Sequence, residues 1–252
     1  MPSVQLKVRL LRYTPNPDEM VATAARLCYS DADIDALADR VEQRDQGKFI
    51  RRLMGMGHLS TIEHVAFTFG VVGVSRARLA ELTRHRIASF SVKSQRYVGA
   101  VPKEEGGTFS YIVPPSIAAL GPESVAEYEA QMQTMQGWYN GWVERLGGGK
   151  EKTFEDARFV LPNAAETKLI MTMNARELLH FFQLRCCNRA QWEIRAMAWE
   201  MLRQVKQVAP YLFEQAGPAC LRGVCPEGEK TCGKAGEVQE KARALDRRQE
   251  KE

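Results

Sequence analysis

Apolar and polar residues alternate from Val4 to Arg12 with the two-residue period of a half-buried strand. A turn over residues 15–18 then opens a helix through Met20, Ala24 and Leu27. Helical spacing returns in two series, Ile34, Leu37 and Val41, then Phe49, Ile50 and Leu53, with Gly47 between them and Gly55 and Gly57 as the stop. Val65, Phe67, Phe69 and Val71 predict a strand, after which Ser75 is placed to cap a helix running into Arg84. Residues 111–115 predict a short strand stopped by two prolines. Val125, Tyr128, Met132, Met135 and Trp142 mark one long helix over 123–146, ended by three glycines. A further strand is predicted over 167–173, then a helix capped by Asn174 and another capped by Asn188, which Pro210 ends. Strands and helices do not alternate regularly, so the expected fold class is α+β. One domain is expected over 1–217, followed by a Cys-containing, charged tail over 218–252 that is disordered or a frayed helix from Glu237 onward.

A chain of 252 residues can bury a sizeable core, and its formal charge of +4 is compatible with anionic substrates without requiring them. The N-terminus lacks the charged-then-apolar pattern of a secretory signal, and the longest apolar run, 65–74, is far too short to span a membrane. The expectation is a cytoplasmic protein whose six cysteines are reduced. Neither a G-x-G-x-x-G after a strand nor a G-K-[ST] loop is present, which argues against Rossmann and phosphate-loop enzymes.

Candidate chemistry gathers in two basic constellations. The first, Arg84 to Tyr97, packs three arginines, a histidine, three serines and a lysine into fourteen residues directly after an apolar stretch. Guanidinium forks in such a setting suit phosphate or carboxylate, although a solvated basic turn would read the same way. The second comprises Arg158, Asn174, Arg176, His180 and Arg185. Arg176 and His180 share a helix face, whereas Arg185, nine residues after Arg176, points elsewhere. His58 and His64 are six residues apart, which is not the spacing of a zinc-protease helix. Arg185 beside Cys186 would favour a thiolate, but a small buried thiol is the commoner explanation. Cys220, Cys225 and Cys232 lack standard zinc spacing, and a fourth ligand is missing unless Cys186, Cys187 or another subunit supplies it, so no metal is expected.

The pattern R-H-R, seven residues, then S (Arg84, His85, Arg86, Ser94), closed by Arg96 and Tyr97, resembles the signature of the flavin-dependent thymidylate synthases. H-L-S-T-I-E-H-V-A-F-T-F ahead of it, and N-A-R-E-L-L-H-F-F-Q-L-R followed by A-Q-W-E-I behind it, resemble that family's flanking segments in the same order. The resemblance covers about Val4 to Phe213. It implies a mixed sheet flanked by long helices and a methyltransferase that makes dTMP from dUMP. Methylenetetrahydrofolate gives the carbon, FAD the hydride and NADPH the reducing power, in a homotetramer with shared active sites. By resemblance, the FAD contacts fall on His58, Ser60, Arg84, His85, Arg86, Val92, Asn174, Ala175, Arg176 and His180. Those to dUMP fall on Glu81, Leu82, Thr83, Arg84, Ser94, Gln95, Arg96, Arg158 and Arg185, with Arg185 the catalytic group at the uracil N3. Val92 departs from a position that is often polar in relatives, so a contact there would run through its backbone. No nucleic-acid or membrane partner is implied. An RNA-binding module stacking bases on Phe90 and Tyr97, and a flavoprotein of the same fold that does not methylate dUMP, stand as alternatives.

Overall fold

A computed structural model of the chain describes residues 3–102 and 106–249. In chain order the elements are β1 (Lys7–Tyr13), α1 (Pro17–Leu27), α2 (Ile34–Glu42), α3 (Gly47–Gly55), β2 (Ala66–Ser75), α4 (Leu79–Leu82), β3 (Ala88–Val92), α5 (Pro115–Ala118), α6 (Pro122–Arg145), α7 (Glu151–Ala157), β4 (Glu166–Asn174), α8 (Ala175–Arg185), α9 (Trp192–Val208) and α10 (Ala235–Gln249). The strands form one sheet in the order β1-β2-β4-β3, and the fold is α+β. Pairing is antiparallel where its register can be read: Thr14 N–H bonds Ala66 at one end of β2, and Thr68 faces Thr172 across β2 and β4 at 2.9 Å.

Chain contacts define two compact units. The first comprises residues 1–7, 70–84 and 90–170, and the second comprises 8–69, 85–89 and 171–252. In the first unit Phe109, Tyr111, Met132 and Ala165 make the core, closed by Tyr128, Met135 and Leu161. Polar groups of α6 fasten the loop before it: Gln136 accepts from Phe109 N–H at 2.7 Å and donates to Ala100 C=O at 3.0 Å, and the Tyr139 hydroxyl accepts from Ala100 N–H at 3.0 Å. Gly73 has φ +71°, and a Cβ there would lie 1.9 Å from the Gln5 carbonyl, so only glycine lets β2 pass this close to the segment ahead of β1. In the second unit Phe67, Phe182 and Phe213 meet edge to face at centroid distances of 5.4 and 5.9 Å, all three fully buried.

Several predicted elements differ. Local pattern leads from Ser75 into a helix, yet the chain makes a single 3-10 turn, Arg76–Arg78, and one turn of α4. Tyr111 contributes isolated bridges to Ser3 and Ala165 in place of a strand. β3 runs through the basic segment itself: half-buried Ala88, Phe90 and Val92 alternate with exposed Ser89 and Ser91, a two-residue period only five residues long. Gln191, not Asn188, caps α9: its side-chain oxygen accepts from Glu193 and Ile194 N–H at 2.8 and 3.1 Å. The polar C-terminal stretch forms α10, whose Val238 is buried and whose Lys241 lies 4.6 Å from the Trp199 ring centroid; residues 250–252 fall outside the described chain.

Asp18, in the first turn of α1, accepts from Tyr211 and Leu212 N–H at 3.2 and 3.1 Å. Burial nevertheless pushes its carboxyl up to about 6 from an ordinary 3.8. The folded state therefore holds a proton that the unfolded state has released, and this group's contribution to stability falls as pH rises from about 4 to about 6. Asp18→Asn is expected to remove that slope, on the order of 3 kcal/mol across the window. Urea midpoints at pH 4 and pH 6.5 that shift equally in wild type and variant would contradict it.

Candidate functional site

β4 passes into α8 without a loop, so Asn174 is both the last residue of the strand and the cap of the helix. Its Oδ1 accepts from Glu177 N–H at 2.9 Å, as its position in the sequence predicts. The same turn sets the directions of Arg176 and Glu177. Arg176 points outward and pairs with Glu63. Glu177 points inward and meets His85 Nδ1 at 2.7 Å, both residues being buried. The other ring nitrogen, Nε2, lies 3.1 Å from Arg185 Nε. A guanidinium only donates, so Nε2 must accept, and the imidazole is neutral with its proton on Nδ1, donated to Glu177. The electrostatics agree: burial pushes the His85 pKa down, Glu177 opposes this, and Arg185 and His180 add to the fall. The result is a chain of buried carboxylate, buried neutral imidazole and half-buried guanidinium that orients Arg185.

Two large cavities open in this second unit. One, of about 720 Å³, is walled by Asn174, Arg176 and His180, and also by Arg51, Arg222 and Gln183. Arg51 pairs with Glu214 at 2.8 Å, and Arg222 donates to Gln183 Oε1 at 3.0 Å. The other, also about 720 Å³, holds His58 and Ser60 beside the guanidinium-bearing residues Arg26, Arg40, Arg44 and Arg52. Five of the residues matched to FAD contacts thus divide between these two cavities, Arg84 and Val92 belong to the first unit, and His85 has both ring nitrogens already engaged within the protein. Arg51 and Arg222 escaped sequence reasoning because each lies outside the two basic constellations.

The first unit carries Glu81, Leu82, Thr83, Arg84, Val92, Ser94, Gln95, Arg96 and Arg158. Leu82 is buried, while Thr83 and Arg84 are exposed. Ser94 Oγ accepts from Arg96 N–H at 3.1 Å, making the turn that follows β3. Arg96 pairs with Glu151 at 3.0 Å and also bonds the Tyr97 hydroxyl. Gln95 lines a smaller cavity, of about 280 Å³, with Lys93 and Lys168. Arg158 donates from Nε to Glu155 C=O at 3.0 Å, and its charge, after burial, pushes down the pKa of Arg76. Two half-buried guanidiniums close enough to feel each other's charge are suited to a dianion. Arg76 was missed in the sequence, although its place immediately after β2 is a readable signal.

A family model described as thymidylate synthase complementing protein matches residues 9–211. The chain is 52% identical over 233 residues to the flavin-dependent thymidylate synthase of Geobacter sulfurreducens, covering 92% of this chain and 96% of that one. It is 47% identical over 243 residues to the enzyme of the same name from Clostridium tetani, covering 92% and 95%. The chain belongs to the flavin-dependent thymidylate synthase family. As a member it is a flavin-dependent enzyme of thymidylate synthesis. In this thymidylate synthase family member the signature segment is divided: Arg84 closes one stretch of the first unit, His85 and Arg86 fall in the second, and Ser94 and Arg96 return to the first.

The first large cavity fits a flavin dinucleotide by the chemistry of its wall. Arg51, Arg176 and Arg222 offer guanidiniums to a pyrophosphate, and Met54, Leu59, Ile87 and Leu179 offer apolar surface to a ring system. Cys186 is fully buried and its thiol is pushed well up by that burial, so it is no nucleophile despite the adjacent Arg185. Among the described residues no three His, Cys, Asp or Glu side chains stand as placed in a group that would hold a metal ion. Cys187, Cys220, Cys225 and Cys232 nevertheless share one cavity wall. After burial, Cys187, Cys225 and Cys232 are the neighbours that push the Cys220 thiol up.

Glu177→Gln removes the charge and keeps the shape. It is expected to cost about 1.5–3 kcal/mol in urea unfolding, the range for a hydrogen bond to a charged group, with Glu177→Ala costing more because it strands a buried N–H. Unfolding curves that superimpose on wild type would show that the pair does not support the burial of His85.

Proposed function

We infer that this protein converts dUMP to dTMP, taking the methylene of methylenetetrahydrofolate in a reductive methylation. The observation that carries the reading is the Glu177–His85–Arg185 chain, buried at its first two members, because it gives Arg185 an orientation that a solvated arginine lacks. Uracil C5 is a poor nucleophile. A cation set against N3 and the flanking carbonyls stabilises the electron-rich ring and polarises C5–C6, which is electrostatic stabilisation and requires no protein nucleophile. Arg185 has that role. Ser94 fits it as well: its oxygen already accepts a backbone N–H, so the hydroxyl serves as a donor to substrate and not as an attacking group.

Arg84, Arg96 and Arg158, with Glu81, Leu82, Thr83, Ser94 and Gln95, hold the nucleotide, and Arg76 beside Arg158 reinforces the hold on its phosphate dianion. Asn174, Ala175, Arg176 and His180 hold FAD, aided by Arg51 and Arg222, while His58, Ser60, Arg84, Arg86 and the Val92 backbone contribute further contacts. His85 acts through Arg185. Bound flavin supplies the hydride chemistry, with NADPH as reductant. The chain works as a homotetramer with shared active sites. Trp138 and Trp142, one turn apart on α6 and 57% and 45% exposed, and Phe159, 82% exposed, support this reading as apolar surface available to another copy. No described helix is long and apolar enough to cross a membrane, and we place the enzyme in the cytoplasm.

Tritium release from dUMP labelled at C5, assayed with methylenetetrahydrofolate, NADPH and FAD, tests the function directly. Arg185→Ala is expected to lower turnover about 10²–10³-fold with flavin still bound, the scale for removing one electrostatic donor. Wild type that is yellow and oxidises NADPH but releases no tritium would leave a flavoprotein of another activity. Full turnover by Arg185→Ala would remove the role given to that arginine.

A further inference from the structure

The match to the family model ends at residue 211, and the chain beyond Gly217 is built differently from what precedes it. Gly217, Gly223, Gly228 and Gly233 all sit at positive φ, the regular structure before α10 amounts to the two 3-10 turns Ala219–Leu221 and Gly228–Lys230, and Val224 is 95% exposed. Such a segment has no apolar core of its own. It is nevertheless tied to the turn between α8 and α9. Arg189 donates to Lys230 C=O at 2.6 Å and pairs with Glu227 at 3.2 Å, and Asn188 Nδ2 lies 3.8 Å from Cys232 Sγ. Surface contacts of this kind contribute little each. They frame a cavity of about 240 Å³ whose wall carries Cys187 from the α8–α9 turn and Cys220, Cys225 and Cys232 from the segment. All four are free thiols, whereas Cys28 is exposed in another part of the unit.

We propose that Cys187, Cys220, Cys225 and Cys232 are the ligands of a structural site for one soft divalent cation of the zinc class, which staples the C-terminal segment to the α8–α9 turn. Four sulfurs are the ligand number and type of a closed tetrahedral site. The spacing within the tail offers three ligands, and the fold brings the fourth, Cys187, from the far end of α9. In the structure the sulfurs line the cavity without standing at ligand spacing. Each turns on a single torsion with three staggered wells, and the glycines on either side leave the backbone free to follow. On binding, each thiol gives up its proton, four S–metal bonds form and four protons leave to solvent. The resulting tetrathiolate centre has a net charge of −2, and Arg185 and Arg189 on the same wall offset it. A small irregular segment without a core is the setting in which a metal takes over the stabilising role.

The test uses the full chain, purified without a histidine tag and without chelator. Elemental analysis is expected to find about one zinc per chain, released by a mercurial that titrates thiolates. Protein produced with cobalt in place of zinc should show the intense near-ultraviolet band of sulfur-to-cobalt charge transfer and the visible bands of tetrahedral cobalt. Cys220→Ser and Cys225→Ser should lose the metal, while Cys28→Ser retains it. Should those variants fail to fold, the metal content, cobalt spectrum and thiol accessibility of wild type decide alone. Metal-free wild type whose four thiols alkylate freely, disulfides among them by non-reducing mass spectrometry, or zinc bound equally well after Cys28→Ser and Cys225→Ser would each overturn the proposal. None of these readouts depends on dUMP or flavin.

Discussion

Burial of two ionisable groups side by side, with a half-buried third bonded to them, is the constraint around which the second unit is arranged. A carboxylate, an imidazole and a guanidinium taken from water are costly unless each is paired and hydrogen-bonded. Glu177, His85 and Arg185 meet that condition with two bonds, of 2.7 and 3.1 Å, and one tautomer. The arrangement requires β4 to run straight into α8, because the capping bond from Asn174 determines which way Glu177 faces. It also requires His85 to lie against Phe181, whose ring meets the imidazole edge to face at 4.9 Å and keeps water away. A lysine in place of Arg185 would bring a point charge without the planar fork that the imidazole aligns.

Elsewhere the basic residues follow a different logic. Arg51, Arg176 and Arg189 are each matched with a carboxylate at the surface, where the attraction is screened and the pairs exchange readily with a ligand anion. In the first unit the charge of Arg158 adds to burial in pushing the Arg76 pKa down. Among the described residues guanidiniums are thus bonded to a buried partner, held by a surface carboxylate, or near enough to feel one another's charge.

The tail presents the opposite problem. Helix α10 is mostly polar in sequence, and among its described residues Val238 is buried, Lys241 lies over Trp199 and Gln239 donates to Cys220 C=O. Between it and the rest of the unit runs a glycine-rich stretch that local propensity does not fold. Thiols gathered at one wall supply what apolar side chains do not.

Much was legible in the residues themselves. Periodicity located most helices and three of the four strands, because those elements bury one face and so repeat. Asn174 as a cap, and Arg176 and Arg185 facing different ways, follow from helix geometry and held. The short R-H-R pattern pointed to the family before any coordinate was known. The sequence reading missed β3, whose two-residue period runs only through Ala88, Phe90 and Val92 in a segment dominated by charge. Nor could it tell that His85, adjacent to two exposed arginines, turns inward, since its partners are 92 and 100 residues away. The same holds for Arg76 beside Arg158 and for Cys187 among the tail cysteines. Local spacing fixes what a segment repeats, and only the folded chain decides which distant groups share a buried space, because that depends on contacts whose sequence separation carries no period.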